Sequence, residues 1–172
     1  MTNKLIRELN ESDVESFWKL RLRALKEEPE SFGASYEESV DMSIEGAANR
    51  LQKSDDAFVL GAFNPDLVGM LGLYRRQGLK LRHKGIIWGM YVAPERRGKG
   101  LGKALLSAAI ERASAIPDLE HLMLSVVTTK EAARKLYLSL GFQIYGVENK
   151  ALKLGEQLFD EELMSLTLKP SV

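Results

Sequence analysis

The sequence predicts an α/β fold in which helices cover both faces of a mixed β-sheet. Apolar segments of strand length alternate along the chain with amphipathic segments of helical length. Near the middle, segments 85–92, 101–115 and 121–127 form a strand–helix–strand unit, which is typical of a parallel pair with a right-handed crossover. Strand-like segments on either side are joined by short turns, which indicates antiparallel hairpins. The expected element order is β-α-α-β-β-β-α-β-α-β-β.

The first third of the chain predicts one strand and two helices. Residues 4–9 are a short β-like opening, and Asn10 or Ser12 then caps a helix that extends to about Lys26. The apolar residues of this helix recur at helical spacing, at Val14, Phe17, Trp18, Leu20, Leu22 and Leu25. A proline and a glycine interrupt the chain, and a weaker helix follows Ser43.

The middle of the chain predicts three strands. Residues 57–63 and 67–74 are the two strands of a hairpin whose turn is Asn64-Pro65-Asp66. A basic loop at 75–84 leads into the third strand, 85–92.

The last part predicts two helices and three strands. Helix 101–115 has one continuous apolar face, formed by Leu101, Ala104, Leu105, Ala108 and Ala109. Strand 121–127 is almost entirely apolar, as expected where helices cover both faces of a sheet. A helix at 130–140 and two strands at 142–147 and 158–168 complete the fold.

Length and composition are those of a globular protein with one domain, residues 1–172. Lys plus Arg and Asp plus Glu both number 24, so no bulk charge favours nucleic acid or an anionic membrane as partner. The absence of cysteine excludes disulfides and a cysteine nucleophile. No segment resembles a secretory signal or a membrane span, so a cytoplasmic protein is expected. His83 and His121 are isolated, and no metal site is predicted.

A glycine-rich turn precedes helix 101–115. Gly98, Gly100 and Gly102 permit a ligand to approach the backbone closely and tolerate positive φ angles. The first amides of a helix lack intrahelical partners, and the helix dipole adds partial positive charge there. The turn therefore predicts a phosphate site. Four cations surround the glycines, namely Arg96, Arg97, Lys99 and Lys103. The alternative is a turn that binds no ligand. In that case no anion would offset the repulsion among these four cations.

Two common phosphate-binding motifs do not fit the turn. A Walker A loop requires G-x-x-x-x-G-K-[ST], but only three residues separate Gly98 from Gly102, and Ala104 stands where a magnesium-binding hydroxyl would be. The Rossmann fingerprint requires G-x-G-x-x-G and an acidic residue at the end of the next strand. This chain has G-x-G-x-G, and Val127-Thr128 follows instead.

A third pattern, [QR]-x-x-G-x-[GA], is matched by Arg97, Gly100 and Gly102. Here the chain resembles the GNAT (Gcn5-related) N-acetyltransferase superfamily, in which this turn holds the pyrophosphate of acetyl-CoA and the preceding strand pairs with the pantetheine arm. The resemblance implies acetyl-CoA as cosubstrate, without a metal. It also implies cofactor contacts from Met90, Tyr91, Val92, Arg97, Gly98, Lys99, Gly100, Leu101, Gly102 and Lys103.

A second segment resembles the same family independently. Residues 133–142 match A-x-x-L-Y-x-x-x-G-F, in which the tyrosine hydroxyl of family members lies near the thioester sulfur. The resemblance implies that Tyr137 is the catalytic general acid that protonates the leaving thiolate. A tyrosine suits this role because its pKa of roughly 10 keeps it protonated at neutral pH. The alternative is that Tyr137 only packs its helix on the sheet, with its hydroxyl bonded to backbone.

Two parts of the site depart from the family pattern. Lys130 stands where many members have a cofactor-binding asparagine, and Thr128, Thr129 or Lys130 itself are the candidates to replace it. Strand 85–92 has no carboxylate where some relatives have their general base. The candidate bases are a water chain that ends at a backbone carbonyl or at Ser125, and three acidic residues for which a solvated surface charge is the favoured interpretation, Glu28, Glu30 and Glu37.

Together these residues predict an acetyl-CoA-dependent N-acetyltransferase, in which a primary amine of a small molecule or peptide attacks the thioester directly. The alternative is a non-catalytic GNAT-fold protein that binds coenzyme A as a sensor. The neutral net charge argues against a nucleic-acid binder. Members of the family often form homodimers, and the residues do not decide this point for the chain.

Overall fold

The computed structural model describes residues 5–168. In chain order the elements are β1 Leu5–Glu8, α1 Val14–Glu27, α2 Tyr36–Ser39, α3 Ile44–Asn49, β2 Ala57–Phe63, β3 Leu67–Arg75, β4 Lys84–Val92, α4 Leu101–Ser114, β5 His121–Val127, α5 Glu131–Ser139, β6 Gln143–Leu154 and β7 Gln157–Thr167. All seven strands join one sheet in the order β1-β2-β3-β4-β5-β7-β6. The predicted α/β class with a mixed sheet is confirmed.

Helix α1 follows a capping box at Asn10. The side chain of Asn10 accepts a hydrogen bond from the amide of Ser12 at 2.9 Å, and the carboxylate of Asp13 accepts one from the amide of Asn10 at 2.9 Å. Both bonds satisfy amides that a helix start leaves without partners. The buried face of α1 is apolar apart from one arginine; its members are Phe17, Trp18, Leu20, Arg21, Ala24 and Leu25.

The centre of the sheet is covered on both faces. Residues 68–73 of β3 are all buried, and α1 and α4 both contact this strand. A Cβ at Gly69 would lie 3.1 Å from Cδ1 of Leu105, so α4 packs directly against the backbone of β3 at this glycine. This close contact fixes the start of α4, and with it the glycine-rich turn, relative to the sheet.

Strands β4 and β5 pair in parallel over three residues only. The pairs are Lys84 with His121, Gly85 with Leu122 and Ile86 with Met123, after which the two strands separate. A bulge explains the separation: on β3, residues 70 and 72 face residues 91 and 88 of β4, so β4 carries one extra residue there. Gly89 lies in this bulge with φ +63°.

The last strand, β7, lies between β5 and β6. It pairs antiparallel with all seven residues of β5, from His121–Thr167 to Val127–Glu161, and with β6 on its other side. Arg134 of α5 donates hydrogen bonds of 2.6 and 2.7 Å to the carboxylate of Glu162 on β7. These bonds anchor α5, which carries Tyr137, to the sheet.

Three details differ from the sequence-based expectation. Strand β6 extends to Leu154, well beyond the predicted end at 147, because β7 supplies a partner along its length. The one-turn helix α2 was not predicted. Arg75 ends β3 and is 6% exposed rather than part of a basic loop. Lys4, the predicted start of β1, lies outside the described residues.

None of the helices within residues 5–168 is long and apolar enough to cross a membrane.

Candidate active site

A cavity of about 600 Å³ opens where β4 and β5 separate. Its walls come from both strands, from the connection after α1, from the glycine-rich turn and from α5. Most of the predicted site residues line it, namely Met90, Tyr91, Val92, Arg97, Gly98, Gly100, Leu101, Gly102, Lys103 and Tyr137. Lys99 belongs to the turn but is not among the lining residues. The two segments that resemble one family in sequence thus meet in one cavity.

The glycine-rich turn presents free backbone amides to the cavity. Gly98 and Gly100 have φ angles of +74° and +79°, which favour glycine. The first hydrogen bond of α4 runs from the amide of Ala104 to the carbonyl of Gly100 at 3.0 Å, so the amides of residues 101–103 have no intrahelical partner. Gly102 has a different role, since a Cβ there would lie 3.3 Å from Leu136 and 3.4 Å from Met90. It lets α4 pack between β4 and α5.

Three hydrogen bonds and a ring contact hold Arg97 at the cavity wall. Its Nε donates to the carbonyl of Val92 at 2.8 Å, and Nη1 and Nη2 donate to the carboxylate of Glu28 at 3.2 and 2.9 Å. Its Cζ lies 5.5 Å from the centroid of the Tyr91 ring. Burial and the neighbouring Glu27 carboxylate raise the pKa of Tyr91 to about 12, and its hydroxyl donates to Glu27 at 3.2 Å.

Lys130 connects the α5 side of the cavity to the connection after α1. Its Nζ lies 2.5 Å from the carboxylate of Glu30 and 4.0 Å from that of Glu28. Burial acts to raise the pKa of Glu30, but the hydrogen bond and the charge of Lys130, together with a backbone hydrogen bond, outweigh it, so the pKa is lowered. Glu28 and Glu30 are therefore ion-paired carboxylates. Glu37 is exposed and does not line the cavity, which leaves none of the three as a free base.

Tyr137 is buried at the inner end of the cavity. It is 7% exposed, and burial raises the pKa of its hydroxyl to about 12. No hydrogen bond from the described part of the chain accompanies this burial, whereas a tyrosine that served only to pack the helix was expected to bond to backbone. Its ring packs on Phe142 with centroids 5.9 Å apart. The hydroxyl is thus protonated at neutral pH and held by ring packing.

Ser125 and Glu161 form a polar pair across β5 and β7, and of the two only Ser125 lines the cavity. Ser125 lines the cavity on β5, and its hydroxyl donates a hydrogen bond to Glu161 of β7. Burial and the nearby carboxylate of Glu148 raise the pKa of Glu161, while the Ser125 hydroxyl lowers it by a smaller amount. Sequence reasoning named Ser125 and missed Glu161, because the pair forms only when β7 inserts beside β5.

Arg21 is a second residue that sequence reasoning missed. It lies on the buried face of α1, and its Cζ lies 5.6 Å from the centroid of Phe32 and 5.2 Å from that of Trp88, two residues that line the cavity. A signal was present in the sequence, because Arg21 falls four residues after Phe17 and four before Leu25, in the middle of an apolar helical face.

Metal ligands are not grouped within residues 5–168. The rings of His83 and His121 come within 6.0 Å of each other, centroid to centroid, but no set of three His, Cys, Asp or Glu residues in that range could hold a metal ion.

A comparison with known families identifies the family of the chain. A model of the acetyltransferase (GNAT) family matches residues 15–142, which span both the glycine-rich turn and the segment around Tyr137. The chain belongs to this family. The resemblance inferred from the two motifs is confirmed.

Solved GNAT structures share the whole fold. The acetyltransferase of GNAT family from Streptococcus pneumoniae is 27% identical with a TM-score of 0.86, over 97% of this chain and 100% of that one. A GNAT superfamily phosphinothricin acetyltransferase from Sinorhizobium meliloti, solved in complex with acetyl-CoA, has a TM-score of 0.84 over 99% of this chain and 94% of that one. At 20% identity this second likeness concerns the fold alone.

Curated relatives match a shorter part of the chain. The L-methionine sulfoximine/L-methionine sulfone acetyltransferases of Pseudomonas paraeruginosa and Pseudomonas aeruginosa are each 40% identical over 84 residues. The alignment covers 48% of this chain and 47% of each relative, so the chain matches about half the length of these proteins.

Proposed function

We propose that the protein is an acetyl-CoA-dependent N-acetyltransferase that acetylates a primary amine. One observation carries the proposal: the glycine-rich turn and Tyr137 line one and the same cavity, at the place where β4 and β5 have separated. Membership of the acetyltransferase (GNAT) family supports the same activity.

The turn fits the pyrophosphate of acetyl-CoA by its donors and charge. The amides of residues 101–103 point from the N-terminus of α4, where the helix dipole favours an anion. Arg96, Arg97 and Lys103 also line this end of the cavity. Beyond residue 86 the edge of β4 has no partner on β5, so backbone groups of residues 87–91 on this edge are available to the amides of the pantetheine arm. Acetyl-CoA supplies the activated acetyl group.

Tyr137 supports departure of the thiolate. The amine nitrogen attacks the thioester carbonyl, and as the carbon–sulfur bond breaks, the Tyr137 hydroxyl donates its proton to the sulfur. Burial raises the pKa of the Tyr137 hydroxyl and also disfavours a charged thiolate in the same place. The proton therefore moves to the sulfur while negative charge is still developing there. Direct attack needs no nucleophilic side chain, in agreement with a chain that has no cysteine.

Ser125 and Glu161 supply the base that the sequence did not reveal. The Ser125 oxygen accepts a proton from the attacking amine while its own hydroxyl proton passes to Glu161. A carboxylate with a raised pKa is a better acceptor for that proton than an ordinary one. The proposed acid therefore lies on α5 and the proposed base on the β5–β7 pair.

The acceptor is a small amine in this proposal. The curated relatives take their names from acetylation of methionine sulfoximine and methionine sulfone, and the aromatic residues Phe32 and Trp88 line the cavity. We further propose that the protein works in the cytoplasm; a homodimer is the arrangement that family members often adopt.

An amine panel tests this function. The purified protein is mixed with acetyl-CoA and each of a set of primary amines, and free thiol is measured over time, with acetyl-CoA binding followed by calorimetry. We expect binding together with amine-dependent thiol release. Binding without release for every amine would favour the sensor alternative, and absence of binding would contradict the assignment of the cavity to acetyl-CoA.

A further inference from the structure

Arg21 is a buried cation without an anion. The residue is 6% exposed, and its Nε and Nη1 are fully buried with no hydrogen-bond acceptor in the described part of the chain. Buried donors without acceptors are uncommon in folded proteins and destabilise the fold. The rings of Phe32 and Trp88 stabilise the charge in part, but they leave these two N–H groups without acceptors.

A second arginine adds to the positive charge. The Cζ of Arg50 lies 5.6 Å from the centroid of Trp88 and 5.7 Å from that of Trp18, so guanidinium groups of two residues flank Trp88. Among residues 5–168, no carboxylate forms an ion pair with Arg21 or Arg50. Burial, with a contribution from Arg50, lowers the pKa of Arg21 to about 10, which still leaves the group charged at neutral pH.

Arg21 packs behind the cavity wall and is not itself a lining residue. Its Nη1 would be 3.0 Å from a Cβ at Gly89, so the missing side chain of this bulge glycine lets the guanidinium lie against the backbone of β4. Phe32, Trp88 and Gly89 all line the cavity. The phosphate-binding turn is elsewhere on the cavity wall and has its own cations, Arg96, Arg97 and Lys103.

We propose that the acceptor is an amino acid and that Arg21 binds its carboxylate. This inference rests on the proposed acetyltransferase function. A planar carboxylate matches the fork of a guanidinium with two parallel hydrogen bonds. The neighbouring aromatic rings leave an apolar surface for the rest of the molecule. Arg21 is thus a specificity-determining residue, and the neutral bulk charge of the chain is compatible with a local receptor for an anion.

Matched amine pairs test the proposal. Each amino acid is compared with the amine that lacks its carboxylate: leucine with isopentylamine, methionine with 3-(methylthio)propylamine, phenylalanine with phenethylamine. For each pair the ratio of kcat/KM values is measured in the wild type, in Arg21→Met and in the control Lys19→Met, an exposed cation on the same helix. Because one ratio is compared between variants, differences in amine basicity cancel.

We expect Arg21→Met to reduce the ratio by about 10- to 150-fold, the range that corresponds to roughly 1.5–3 kcal/mol for a charge-assisted hydrogen bond. Lys19→Met should leave it unchanged. The Tm of Arg21→Met should not fall, because the variant removes an unpaired buried charge. Deaminated leucine, 4-methylpentanoate, should inhibit the wild type competitively against amino acids and lose this effect in Arg21→Met.

Two results would overturn the proposal. One is an equal loss for both members of each pair in Arg21→Met, which would make Arg21 a structural residue. The other is efficient turnover of the simple amines without any preference for the amino acids in the wild type. In both cases the acetyltransferase activity itself would stand. If no amine of either kind releases thiol from bound acetyl-CoA, the proposed function fails instead.

Discussion

Arg97 donates two hydrogen bonds to the carboxylate of Glu28, of 3.2 and 2.9 Å, and so ties the glycine-rich turn to the end of α1 across the cavity entrance. The pyrophosphate proposed to bind at this turn carries the same sign of charge as Glu28. The two therefore compete for one guanidinium.

Glu28→Gln should bind acetyl-CoA more tightly than the wild type. The substitution removes a negative charge from the phosphate end and leaves Arg97 free for the ligand. Because the pair is partly exposed, with side chains 43% and 23% accessible, we expect a decrease in Kd of about two- to five-fold. Calorimetry at low salt measures the Kd, and Glu111→Gln, at an exposed position, is the control. Weaker binding in Glu28→Gln would mean that the pair positions Arg97 for the ligand.

Tyr137→Phe should lower kcat by about 10²-fold or more, with little change in acetyl-CoA affinity. The Tm should be unchanged, since the hydroxyl makes no hydrogen bond to the described residues. With a pKa raised to about 12, Tyr137 should produce no alkaline decline in the kcat of the wild type below about pH 10. Tyr145→Phe on β6, where the side chain is exposed, is the matched control. An unchanged kcat in Tyr137→Phe would exclude the acid role.

Glu161→Gln should lose activity and gain stability at neutral pH. The pKa of Glu161 is raised by burial and by Glu148, so the folded state favours the protonated form. The stabilisation that the protonated carboxyl group of Glu161 gives the fold is complete below the ordinary pKa of 4.5. It is lost as the pH rises through the raised pKa of the folded state. The Tm of Glu161→Gln should therefore exceed that of the wild type at pH 7, with a difference that disappears toward pH 4.

Substitution of Glu148, the acidic neighbour of Glu161, provides the control for the pH dependence of kcat/KM. Glu148→Gln removes the repulsion on Glu161, so the acidic limb of kcat/KM should move to lower pH while activity at pH 7 persists. If Glu161→Gln keeps full activity and its kcat/KM declines at the same acidic pH as that of the wild type, Glu161 is not the base.

Gly100→Ala should destabilise the fold by about 1–2 kcal/mol, because its φ of +79° is unfavourable for a residue with a Cβ. Gly33→Ala is the matched control. In both positions a Cβ would meet nothing within 4 Å, but only Gly100 has a positive φ. Urea unfolding should therefore show a loss for Gly100→Ala and little change for Gly33→Ala. Equal losses would show that the φ angle does not set the cost.

Elements with a strong periodic pattern were predictable from the sequence. Strands 57–63 and 121–127 have the predicted bounds, and helix α4 ends one residue before its predicted end. Strand β6 was predicted too short because most of its residues are exposed and show no alternation of apolar and polar side chains. Its length is set by pairing with β7, a contact between strands that the sequence of β6 alone does not record.

The residues of the candidate site also fall into two groups, those that the sequence places and those that only the folded chain brings together. The position of the glycine-rich turn at the start of α4 was predictable because the two form one continuous segment. Arg21 and Glu161 depend instead on packing between distant segments: α1 against the bulge at Gly89, and β7 beside Ser125. A polar residue inside an apolar pattern, such as Arg21 between Phe17 and Leu25, is the one local sign of such a contact.

The position of β7 between β5 and β6 has a consequence for synthesis of the protein on the ribosome. Strand β5 has three pairs with β4 but seven with β7, so it can acquire most of its backbone partners only after residues 157–167 have emerged. A nascent chain that ends near residue 150 already contains the glycine-rich turn and Tyr137. It nevertheless lacks the strand that holds one wall of the cavity in place, and acetyl-CoA should not bind it.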